Sequence, residues 1–66
     1  MDANTAFDNL IAALNIGHNQ EIIENSAYLQ RWVNMNGFIP KKALDAGFSK
    51  FGFELLLRSV TTEAIS

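Results

Sequence analysis

The sequence predicts an all-α fold, a small bundle of four helices at about 5–16, 20–35, 40–46 and 50–60, with a helix-turn-helix-like corner at 47–49. Three observations predict it. Apolar residues recur every three or four positions through most of the 66 residues, the spacing of one helix face. Gly17, Gly37, Pro40 and Gly47 fall between these periodic stretches, where helices stop and start. The stretch Glu21–Gly37, EIIENSAYLQRWVNMNG, holds the only Trp and the only Tyr and carries two apolar lines, Ile22, Leu29 and Val33 on one and Tyr28, Trp32 and Met35 on the next. A helix apolar over more than half its circumference is either central or covered by a second chain, and in both cases it organises the rest.

In the first helix, Thr5 followed by Asp8 reads as a capping box, and Phe7, Leu10, Ile11 and Leu14 fall at the spacing of one buried face. Gly17 sits where a left-handed cap would end it. Asn19 is the expected N-cap of the second helix, with Glu21 and Glu24 near its positive end. Gly37 stops that helix, and Pro40 fits the first turn of a short third one, which Gly47 ends. Ser49 caps the fourth helix, and Phe48 before the cap can pack on Phe53 after it as a hydrophobic staple. This last helix is read as giving Phe51, Leu55, Leu56 and Val60 to the core, and residues 61–66 as fraying.

A chain of this length makes one small domain, and with no cysteine it has neither a disulfide nor a thiolate metal site to support a thin core. Its hydrophobic fraction of 48% exceeds what so small a core can hide, which predicts a protein partner or a homodimer. Net charge is −2 but unevenly placed: residues 1–30 carry −4 and residues 31–66 carry +2. A nucleic-acid binder usually carries more positive charge, so nucleic acid is not favoured. The longest apolar run is Leu55–Leu57, too short to span a membrane, and MDANTAF lacks a cationic start and a long apolar stretch. A cytoplasmic protein without a membrane role is expected.

No constellation points to catalysis or to a cofactor. The single histidine, His18, lies in a polar turn; a zinc site needs more ligands than one His and scattered carboxylates; no glycine-rich phosphate loop is present. The expectation is therefore a non-enzymatic protein. Tyr28 and Trp32 lie one turn apart with Arg31 between them, a composition that suits an interface hot spot. The same two rings suit a core, and the sequence leaves both readings open. Phe51 on the last helix joins Tyr28, Arg31 and Trp32 as a predicted partner-binding residue.

The segment ALDAGFSKFGFELLL, residues 43–57, resembles the GFS corner of AraC-type DNA-binding domains, in which the second helix enters the major groove. That resemblance implies a DNA-binding alternative, a small transcriptional regulator using Lys41, Lys42, Ser49 and Lys50. The helix that would read bases shows chiefly Lys50, Gly52 and Glu54, and lacks the Arg, Asn or Gln that make paired contacts to base edges. A longer stretch, about Ile16–Leu57 with the run ENSAYLQRW, resembles the C-terminal helical segment of ArdC-type antirestriction proteins and their zincin-like peptidase relatives. No HExxH-type motif is present, so no residue inherits a zinc-binding or general-base role, and Tyr28 and Trp32 carry over as packing anchors. The resemblance implies a phage- or plasmid-encoded inhibitor or modulator of a host protein or defence system.

Overall fold

A computed structural model describes all residues, 1–66. The chain forms four helices and no strand: α1 Ala3–Ile16, α2 Asn19–Asn36, α3 Lys41–Asp45 and α4 Lys50–Ile65. The α2 helix lies between α1 and α4 and packs on both, while α3 lies against α1. Its central position comes from the first of its two apolar lines: Ile22, Leu29 and Val33 are all buried. Around them sit Phe7 and Leu10 of α1, Ile39 before α3, and Phe53 and Leu57 of α4. The rings of Phe7 and Phe53, 5.9 Å apart, close the core between the first and last helices.

Several local expectations are corrected. Helix α1 begins earlier than the Thr5–Asp8 capping box required, because Asp2 is the N-cap and its carboxylate accepts the Thr5 N–H at 2.8 Å. Those hydrogen bonds from Thr5 hold the Asp2 carboxyl below its usual range, since they stabilise the charged form. The buried face of α1 is Ala3, Ala6, Phe7, Leu10 and Ala13, so three alanines take the place of Ile11 and Leu14. Ile11 is exposed and Leu14 only half-buried, as small residues let the helix axes approach more closely. His18, not Asn19, precedes α2, and Pro40 precedes α3 in extended conformation where it was expected within the first turn.

Two corners of the chain share one hydrogen-bond pattern. Gly17 (φ 66°) donates to the Leu14 carbonyl at 3.3 Å while His18 donates to Ala13 at 2.9 Å; Gly47 (φ 95°) donates to Leu44 at 2.9 Å while Phe48 donates to Ala43 at 3.1 Å. Both are Schellman turns, in which a left-handed residue lets its own N–H and that of the next residue satisfy the orphan carbonyls of the helix end. At the second corner Ser49 accepts the Gly52 N–H at 3.0 Å, and the Phe48 and Phe53 rings meet edge to face at 5.8 Å. The expected cap and staple are both in place.

Helix α4 departs most from expectation. Its inner stripe is Phe53, Leu57, Val60 and Ala64; of the expected core residues Leu56 and Val60 do pack against the core, whereas Phe51 and Leu55 point to solvent. Residues two apart on a helix lie about 200° apart, so a staple that turns Phe53 inward turns Phe51 outward. The end of α4 does not fray at Val60. Ala64 packs against the core, and the hydroxyls of Thr61, Thr62 and Ser66 donate to the carbonyls four residues back at 2.7, 2.9 and 2.7 Å.

Candidate interaction surfaces

Nine large apolar side chains are exposed, against eight larger than alanine in the buried core. The excess apolar surface that composition implied is therefore on the outside of this chain. Four of the nine, Met35, Phe38, Phe51 and Leu55, border the two flanks of α2.

On the flank away from α4, Tyr28, Arg31, Trp32 and Met35 line a shallow cleft. Tyr28 and Trp32 are each half-buried against the edge of the core, so neither reading of them holds alone: one part of each ring packs and the rest remains available. The Tyr28 hydroxyl donates to the Met1 carbonyl at 3.0 Å and ties the start of the chain to α2. Trp32 meets Phe38 edge to face, with centroids 5.4 Å apart at 86°. Phe38 follows the Gly37 turn and returns over α2, a contact across six residues that the sequence reading did not find. Met35, 86% exposed, extends the surface outward. Aromatic rings and a thioether around an arginine form an adaptable, desolvatable patch.

The predicted residue Phe51 is not part of that patch. It lies on the opposite flank of α2, where it lines a second cleft with Gln30, Glu54, Leu55 and Arg58. A continuation of this cleft along the α2–α4 seam is lined by Ile23, Ser26, Ala27, Thr61 and Thr62, with Gln30 and Arg58 shared. Thus the structure brings together Tyr28, Arg31 and Trp32, and sets Phe51 apart from them.

The basic residues divide in a way that composition does not show. Lys41 pairs with Asp45 at 2.9 Å, Lys42 with Asp8 at 2.6 Å and Lys50 with Glu54 at 3.3 Å. The Lys42 backbone N–H also bonds the Asn4 side chain at 3.1 Å, so α3 is fastened to α1. Each lysine of the helix-turn-helix-like corner thus has a carboxylate neighbour, and Ser49 is engaged as a cap. Arg31 and Arg58 are the cations with no ion-pair partner, and each stands in one of the two apolar clefts.

The chain matches no protein-family model, no curated protein and no solved structure. His18 lies 3.8 Å from Glu21, both in solvent, and no three His, Asp or Glu side chains converge where they could hold a metal ion. No helix is long and apolar enough to cross a membrane.

Proposed function

We propose that this protein is a non-enzymatic interaction module that docks a protein partner on the face made by Tyr28, Arg31, Trp32, Met35 and Phe38. One observation carries the reading: a guanidinium without a carboxylate stands among exposed aromatic and thioether surface, while every lysine is already paired. Such a face fits a partner segment that lays apolar side chains over Trp32 and Met35 and sets a carboxylate on Arg31. Aromatic and arginine anchors dominate the energetics of interfaces, and an arginine bonds a carboxylate with two parallel N–H groups.

The half-burial of Tyr28 and Trp32 supports this use, because rings held by the core meet a partner with little loss of conformational freedom. The further role as a phage- or plasmid-encoded inhibitor of a host protein or defence system rests on the ENSAYLQRW resemblance.

Affinity capture from the cell that makes the protein, followed by titration of the captured partner against Trp32 fluorescence, tests the reading. Met35→Glu and Arg31→Glu change exposed atoms and leave the fold intact, so each is expected to lower the affinity for a single partner molecule in solution at least tenfold while Phe51→Glu leaves that one-to-one affinity unchanged. Capture that is indifferent to both substitutions would refute this face.

A further inference from the structure

The outer side of α4 carries a second apolar stripe that the proposed partner face does not use. Phe51, Leu55, Arg58, Thr62 and Ile65 follow one another at spacings of four, three, four and three, on the side of the helix opposite the core stripe. All five are exposed, Phe51 at 74% and Ile65 at 67%. This spacing is that of a helix seam that meets another helix along its length. Gln30 of α2 borders one edge of it, and no helix of the bundle covers it.

We propose that this seam pairs with the α4 helix of a second copy of the chain, antiparallel, about a two-fold axis passing between Leu55 and Arg58. Two features of the surface select a second copy. First, knob and hole lie on one side of the molecule, as a two-fold interface requires. In this register Phe51 of one copy falls on Thr62 of the other, over a cleft of about 420 Å³ floored by Ala27 and Leu57. Second, the charges complement themselves. Leu55 lies opposite Arg58 of the second copy, which places each Arg58, unpaired within its own chain, beside the other copy's Glu54; that carboxylate already meets Lys50 of its own helix at 3.3 Å through one oxygen and would take the arginine on the other.

The pairing leaves the Trp32 face free on both copies, so the dimer is bivalent for the partner of the preceding section. Two linked faces raise the apparent affinity for a clustered target without any new contact. The inference does not depend on that partner, because its readout is the mass of the chain alone.

Sedimentation equilibrium of the full chain from about 10 µM to about 1 mM brackets a dissociation constant of about 100 µM, as expected for an interface at the small end of the range. The expected result is a mass that rises with concentration from 7.3 kDa towards twice that value. Phe51→Glu should hold the chain at the monomer mass with unchanged helical circular dichroism, since the side chain is solvent-exposed. Arg58→Glu and Glu54→Arg should each weaken association at least tenfold, and the two together should restore it. Met35→Glu should leave the mass curve unchanged. A constant 7.3 kDa over the whole range, a Phe51→Glu variant that still dimerises, a double charge swap no better than the single ones, or a dimer dissociated by Met35→Glu would each overturn the proposal.

Discussion

Phe51 and Phe53 stand two positions apart on one helix, and replacing each by alanine separates the observed register of α4 from its alternative. Phe53 is 0% exposed and its ring meets those of Phe7 and Phe48 at 5.9 and 5.8 Å. Truncating a buried phenylalanine removes its transfer free energy and leaves a cavity, together about 3–5 kcal/mol. A chain of 66 residues has roughly 3–10 kcal/mol of stability in all. Phe53→Ala therefore removes a large fraction of the total and lowers Tm by at least about 12 °C, at about 4–8 °C per kcal/mol. At the lower end of the stability range the variant has no cooperative transition. Phe51→Ala removes a ring that touches mostly water, and alanine is the better helix former by a few tenths of a kcal/mol, so its effect stays within about 0.5 kcal/mol. Urea unfolding followed by far-UV circular dichroism, at concentrations where the chain is monomeric, measures both. Equal losses for the two variants, or a Phe53→Ala loss under about 1 kcal/mol, would show that the inward face of α4 has been misassigned.

The other predictions concern caps, charge and the corner. Ser49→Ala should cost about 1 kcal/mol as the α4 cap is lost. Gly52→Ala should gain up to about 1 kcal/mol only in that background, because the atom crowding an added Cβ is Ser49 Oγ at 3.1 Å; a double-mutant cycle by urea unfolding reads the coupling. Asp2 has its folded-state pKa depressed by the Thr5 hydrogen bonds, so the stability it contributes is present above its unfolded pKa, near 4, and is lost as pH falls through the lower folded value. Asp2→Asn keeps a capping oxygen without the titration, and thermal melts should show a smaller loss below about pH 4 than in the native chain. Mobility shifts at low salt should show no binding to duplex DNA, since Lys41, Lys42 and Lys50 are each paired with a carboxylate. Binding that falls steeply as salt rises would restore the DNA-binding reading.

The candidate surface was partly legible in the sequence. Tyr28, Arg31 and Trp32 share a helix face by spacing alone, and the structure keeps them together with Met35. Phe38 was invisible, because its contact with Trp32 depends on the chain reversing at Gly37, and no periodicity extends across a turn. Phe51 was expected in the core and is exposed, on the other flank of α2 from Tyr28, Arg31 and Trp32. The difference follows from helix phase: α4 carries apolar residues on two opposite sides, and a count of apolar positions cannot say which side meets α2. The staple between Phe48 and Phe53 held the answer, since only one of two aromatics two residues apart can face the same way.

By itself the sequence determined the four helices, the corners at Gly17 and Gly47, the Ser49 cap and the line Ile22, Leu29 and Val33 at the centre. These are set by neighbours within about one helical turn, through backbone hydrogen bonds and the 3.6-residue period. Only the tertiary structure decided which flank of α2 each aromatic occupies, which apolar stripe of α4 stays in water, and which cations remain unpaired. Those depend on residues far apart in the chain, such as Lys42 with Asp8 and Phe7 with Phe53, and distance in space between them is fixed only when the helices pack.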